Sequence, residues 1–175
     1  MTGQKTGITK EYEKMKEIPL TQGKHALVDD EDYEWLSKHK WYYSGDGYAH
    51  RHPPRDGKPL KTERMHVSII GKIDGLEVDH IDGNGLNNQR NNLRHVTKSQ
   101  NQHNGKSHEN SSSKYKGVSL HSQVHRWWAR ITADGKVKSL GCYNSEAEAA
   151  KVYNEAAKKY YGEYARLNII EEDVE

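Results

Sequence analysis

The stretch LEVDHIDGNGLNNQRNNLRHVTKSQNQHNG, residues 76–105, decides how the rest of the chain is read. LEVDH has the make-up of a short strand, and IDGNGLNNQRNN is a loop with the turn dipeptides Asp82-Gly83 and Asn84-Gly85. LRHVT reads as a second strand, and KSQNQHN opens a helix. The order is ββα. Neighbours in a regular strand point to opposite faces, so Asp79 and His80 can address one point only if the first strand ends at His80.

Those residue types suit the hydrolysis of a phosphodiester. That reaction needs a deprotonated water near phosphorus and a cation to neutralise charge on the phosphate oxygens. An imidazole titrating near neutrality is a natural general base, which selects His80. Asp79 and Asn101 supply oxygen, the donor that hard divalent cations take, often from only one or two protein groups. A calcium loop is rejected at Asp82-Gly83-Asn84-Gly85, because no alignment gives the required acids, Gly and Glu at their positions. His103 lies two residues beyond Asn101, on a different face of the expected helix.

With these residues in place, the segment resembles the HNH endonuclease family, of the phage-like homing type, with Asp-His at the first motif position and Asn at the third. The resemblance implies His80 and Asn92 as the catalytic pair, His80 as general base and Asn92 as the central Asn that ties the loop together. It further implies Asp79 and Asn101 as ligands of a divalent metal, Mg²⁺ or Mn²⁺. Upstream, Met65-His66 is similar to a Met-His-Arg-Leu run of such proteins, but Val67 and Ser68 follow the His here.

Working outward, residues 1–16 lack periodicity and read as a flexible lead-in. Residues 17–62 alternate short apolar runs with turn signals, predicting a small sheet, interrupted near Asp29 to Lys38 by a short helix that Asp29 or Asp30 can cap. Trp35 and Trp41 are expected in its core. The ββα segment spans 63–106, and polar residues 107–113 form a linker. Beyond it, YKGVSL, RWWARIT and KVKSLGCY read as strands with a turn at Asp134-Gly135. A helix follows, with a capping box at Ser145 to Glu148 and Gly162 suited to a left-handed cap. Its inward face is expected to carry Ala149, Tyr153, Ala156 and Tyr160.

Tyr115 to Val118, Trp127 to Ile131, Leu140 to Tyr143, Glu148 to Ala150 and Leu167-Asn168 together resemble the DNA-binding domain of plant ethylene-response factors (AP2/ERF) over residues 114–169. The resemblance implies a three-stranded antiparallel sheet backed by one helix, entering the major groove of duplex DNA. Alternation turns Val118, Trp127, Ala129 and Ile131 toward the helix and leaves Ser119, His121, Trp128, Arg130 and Thr132 on the other face. With Lys116 and Lys138 these make up the expected DNA-contacting set. Ser119 and His121 replace arginines usual in that family, and Arg130 replaces an acid, so its target sequence does not carry over.

Bulk properties set the frame. The 175 residues are 33% hydrophobic, which favours small modules over one large core. The net charge of +2 does not mark a nucleic-acid binder, but residues 112–170 hold ten Lys/Arg against five acids, ahead of an acidic tail at 170–175. The single Cys142 excludes an internal disulfide and a Cys-rich zinc site. The absence of a long apolar run or signal-peptide core predicts no membrane partner and a cytoplasmic setting, that of the host cell if phage-encoded. The expected protein is α+β: a small N-terminal sheet, a ββα-metal nuclease centre and a C-terminal sheet packed on one helix. It is expected to cut double-stranded DNA as a monomer or homodimer, the alternative being a non-catalytic DNA-binding regulator on an HNH-shaped scaffold.

Overall fold

Strand pairing in this chain is built from small antiparallel sheets, and the fold class is α+β. The computed structural model describes residues 15–54, 61–105 and 111–170. Most of the expected lead-in, the greater part of the linker and the acidic tail lie outside those residues. The chain divides into two compact units between Thr97 and Lys98. Among the described residues no helix is long and apolar enough to cross a membrane.

In the N-terminal unit, β1 (Met15–Pro19) pairs with β2 (His25–Asp29), beginning inside the stretch read from sequence as lead-in. MKEIP is too short and charged to show a strand period, and its pairing with HALVD supplies what its own sequence lacks. The helix α1 (Asp30–Leu36) follows directly. Asp29 stands at its N-cap position without capping it. Its carboxylate accepts instead from the backbone N–H of Arg90 at 2.8 Å and from Gln89 Nε2 at 3.2 Å. Strands β3 (Tyr42–Tyr43), β4 (Ala49–Arg51) and β5 (Glu63–Arg64) form a second sheet. Then come α2 (Met65–Ile70) and the hairpin of β6 (Glu77–His80) with β7 (Leu93–Val96). Ile18, Ala26, Val28, Leu36, Trp41, Ala49, Met65, Ile69 and Leu93 make the core. Trp41 is buried as expected and donates to Leu36 O at 2.9 Å, whereas Trp35 is only partly buried and donates to Asp32.

The C-terminal unit opens with α3 (Lys98–Asn104) and continues with β8 (Val118–His121), β9 (Arg126–Ala133) and β10 (Lys136–Tyr143), in the order β10-β9-β8. On β9, exposed and buried side chains alternate, with Ala129, Ile131 and Ala133 inward. The helix α4 (Glu146–Tyr161) begins where the capping box placed it, Ser145 accepting from the backbone N–H of Glu148 at 3.1 Å. Its buried face is Ala149, Ala150, Tyr153, Ala157 and Tyr161, turned by about one residue from the expected set, and Tyr160 is exposed. Tyr161 sets this rotation by donating its hydroxyl to Thr132 O on β9 at 2.6 Å. Gly162 has positive φ, but its ψ of −129° is not that of a left-handed helical cap.

Gly117 shows how tightly helix and sheet meet. It has φ +76°, and a Cβ there would stand 2.1 Å from Tyr153 Cδ2 and 2.7 Å from Arg130 O. The carbonyl of Gly117 also accepts from Arg130 N at 2.8 Å, so the backbone cannot retreat without breaking that bond. Gly117→Ala is expected to destabilise the C-terminal unit by about 3 kcal/mol or more, read as a lowered urea midpoint. An unchanged midpoint would contradict this packing.

Candidate active site

The first strand of the hairpin ends at His80, where the sequence reading placed its end. Ile81 N donates to Asn92 O at 2.9 Å and Gly83 N to His80 O at 2.8 Å, so the chain turns at once. Asp79 faces Arg94 across the hairpin, and Arg94 Nε and Nη2 each lie 2.9 Å from Asp79 Oδ2. This is a cross-strand charge pair out of solvent, where hydrogen bonding must offset the cost of burying both ions.

The loop after His80 is held by its own amides. Asn92 Oδ1 accepts from Asp82 N at 3.0 Å, while its Nδ2 donates to Asp82 Oδ1 at 3.0 Å and to Asn87 O at 2.8 Å. Asp82 also accepts from Asn84 N and Asn87 Nδ2, both at 2.8 Å. Burial would raise the Asp82 carboxyl, but these hydrogen bonds overcome it and hold the pKa below the usual value. Asn92 therefore spends its amide on bracing the loop. Leu27 of β2 anchors the same loop, donating to Leu86 O and accepting from Asn88 N, both at 2.8 Å.

His80 sits in a tight recess. It is 4% exposed, with Nε2 3.2 Å from Oδ1 of Asn88, itself 0% exposed. The His66 ring meets it edge-on, centroids 4.8 Å apart, and the Tyr48 ring lies 5.7 Å away. Gly85 lets the loop close against Tyr48, since a Cβ there would come 2.6 Å from the Tyr48 ring. Burial lowers the His80 pKa, opposed by Asn88, Asp82 and Asp79, so the ring is neutral at pH 7 and able to accept a proton. Burial pushes His66 further, to about 3, with His80, Arg64 and His50 adding to the shift. Asn88, Tyr48 and Arg94 were missed by sequence reasoning. Asn88 is one of several loop asparagines and nothing local sets it apart. His66 was noticed only within the Met65-His66 resemblance.

Among the described residues no group of three or more His, Cys, Asp or Glu side chains gathers around one point. The oxygen donors named from sequence, the Asp79 carboxylate and the Asn101 amide on α3, are chemically suited to a hard divalent cation that keeps most of its waters.

On the C-terminal sheet, four of the expected DNA-contacting residues come together. His121 meets Trp128 edge-on at 4.2 Å, and Arg130 lies 5.3 Å from the Trp128 ring centre while donating to Ser119 Oγ at 3.0 Å. Trp128 is 36% exposed, and Thr132 beyond it is also exposed. Lys138 is held at the hairpin end by Asp134 at 3.0 Å and lies over the Tyr160 ring. Lys116 is turned away from this group, donating to the α3 carbonyls of Gln102 at 3.3 Å and His103 at 2.5 Å. Burial, with Arg166 nearby, lowers its pKa to about 8. His103 stacks on Tyr161, ring centres 3.8 Å apart.

A family model described as HNH endonuclease matches residues 68–103, which include Asp79, His80, Asn92 and Asn101. Over 153 residues the chain is 33% identical to a protein of Acanthamoeba polyphaga mimivirus named as an uncharacterized HNH endonuclease, covering 86% of this chain and 78% of that one. The chain belongs to the HNH endonuclease family. An HNH chain of this kind also shares 29% identity over 112 residues with Protein 3.8 of Escherichia phage T7, covering 61% of this chain and 92% of that protein. The segment beyond the HNH match has a different relative. Over 58 residues the chain is 45% identical to an ethylene-responsive transcription factor of Arabidopsis thaliana, which is 32% of this chain and 14% of the plant protein. No solved structure matches this HNH chain.

Proposed function

We infer that the chain is a metal-dependent endonuclease that hydrolyses phosphodiester bonds of double-stranded DNA, with residues 63–106 as the nuclease segment and 114–169 as the module that holds the duplex. The observation that carries this reading is a buried, neutral His80 at the end of β6, beside Asp79, in a chain of the HNH family. His80 accepts the proton of the attacking water, and the resulting hydroxide displaces the leaving oxygen at phosphorus. Asp79 and Asn101 would hold Mg²⁺ or Mn²⁺, which when bound neutralises charge on the phosphate oxygens. Asn92 acts by position, keeping the loop that follows His80 closed.

The cluster of exposed Trp128 and Arg130 with half-buried Ser119 and His121 supports the sheet as the duplex-holding face, joined by Thr132. Lys116 and Lys138 complete the proposed set only if DNA draws them from their present partners. If Arg130 meets a phosphate, Arg130→Ala should lower the slope of log affinity against log salt by about one. Fluorescence-anisotropy titrations from low to moderate salt measure it, and an unchanged slope removes Arg130 from the contact set.

Incubating the full chain with supercoiled plasmid and Mg²⁺ or Mn²⁺, with a chelator control, tests the reading. Metal-dependent conversion to open circles indicates nicking by a monomer, and direct conversion to linear DNA indicates paired cuts by a homodimer. The similarity of the C-terminal segment to a plant transcription factor favours one other reading, a non-catalytic DNA-binding regulator. Retained duplex binding without conversion under either metal would select it.

A further inference from the structure

We propose that Arg64 is a substrate-binding residue, its guanidinium holding a phosphate of the cut strand beside the one that His80 addresses. Arg64 ends β5 and lies opposite His50 on β4. Its Cζ is 5.1 Å from the centre of the Tyr48 ring, and that ring is 5.7 Å from the ring of His80. The charge is therefore one side chain removed from the proposed proton acceptor. Successive phosphates of one strand rise only about 3.4 Å along a duplex, so a strand with one phosphate at His80 brings its neighbours within reach of Arg64.

A network built around Asp46 holds the guanidinium in place. Asp46 lies in the turn between β3 and β4, where Oδ1 accepts from Tyr48 N at 3.2 Å and both oxygens lie 3.1 Å from Nε2 of His50. Its Oδ2 also accepts from Arg64 Nη2 at 3.2 Å. One carboxylate thus fixes Arg64 and Tyr48 relative to each other. An ion pair this exposed adds little to stability, so the network is better explained by what it orients. Arg64 is half exposed, and its bond to Asp46 is the one hydrogen bond of its side chain among the described residues. The remaining N–H groups of the fork are left for the oxygens of a phosphate, and holding the fork beforehand removes part of the ordering cost of binding. Arg94 is committed elsewhere, with Nε and Nη2 both 2.9 Å from Asp79 Oδ2 and a side chain only 15% exposed. An incoming phosphate adds negative charge close to Asp79 and Asp82, and Arg64 is the exposed cation that the Tyr48 and His80 rings tie to that point.

The role of Arg64 rests on the reading of the chain as a DNA endonuclease, and the experiment separates the two. Duplex binding by the full chain is titrated across salt by fluorescence anisotropy without metal, and plasmid nicking is followed with Mg²⁺. Arg64→Gln keeps an N–H for Asp46 but removes the charge. It is expected to lower the slope of log affinity against log salt by about one and to raise KM about tenfold, with kcat within about threefold. Arg64→Lys keeps the charge and should keep the slope, with a smaller rise in KM because the fork is lost. A merely structural role would lower the melting temperature of both variants and leave the slope alone. Thermal melts of both are expected to stay within a few degrees of the unaltered chain.

An Arg64→Gln chain that nicks with unchanged slope and KM overturns the role of Arg64. If Arg64→Gln does not fold, Arg64→Ala is read in the same way, and if neither folds, Arg64 is structural and its role in binding falls. An unaltered chain that binds duplex but never nicks would instead remove the endonuclease reading, while a lowered slope in Arg64→Gln would still mark Arg64 as a phosphate contact.

Discussion

His80→Ala is expected to lower the rate of metal-dependent plasmid nicking by about a hundredfold to ten-thousandfold, while duplex affinity stays within about twofold. The size follows from losing a positioned proton acceptor, and the specificity follows from burial. At 4% exposure the ring offers little surface for DNA to touch, so its removal should appear in kcat rather than in binding. His80→Ala also leaves a gap beside Tyr48, His66 and Asn88, so thermal melts must accompany the kinetics. A variant that folds, binds and nicks at the original rate would sink the assigned mechanism.

The second large effect concerns acid. His66 is 3% exposed and its pKa falls from 6.5 to about 3 on folding, because burial penalises the charged ring. Folding therefore favours the neutral form. The stabilisation is complete above about pH 6.5 and is lost as pH falls toward about 3. By about pH 4.5 the N-terminal unit should have lost roughly 3 kcal/mol through this group. His80 shifts in the same direction for the same reason and adds to the slope. Urea denaturation at several pH values between 7.5 and 4.5 measures the loss, and His66→Gln should flatten the curve by about 1.4 kcal/mol per pH unit. The same slope in the variant would mean that His66 is not held neutral by this fold.

The two effects share one origin, the packing of His66 and His80 edge-to-face between α2 and the end of β6. One ring does chemistry under the proposed mechanism, and the other keeps it in place without charge. Conditions that charge His66 should therefore reduce stability and activity together.

Sequence by itself determined what depends on near neighbours. The strand ending at His80, the turns at Asp82-Gly83 and Asn84-Gly85, the Ser145 cap and the alternation along β9 are all local. Each is set by side-chain spacing or by a hydrogen bond reaching only a few residues. The role of Asn92 in tying the loop was implied by the family resemblance rather than by spacing, and its partner Asp82, ten residues away, was named only by the fold.

Tertiary structure alone decided what depends on distant partners. Asp29 looks like a helix cap in sequence, yet it serves residues 89 and 90, and β1 exists only because β2 lies beside it. The face of α4 turned because Tyr161 found Thr132, and Lys116, basic and nominally available to DNA, found the carbonyl end of α3. Asn88 stands among four other loop asparagines and is distinguished only by where the anchor to Leu27 places its amide. In each case the free energy comes from a contact whose partner the local sequence cannot name, because burial and hydrogen bonding are satisfied by whichever group the fold brings near.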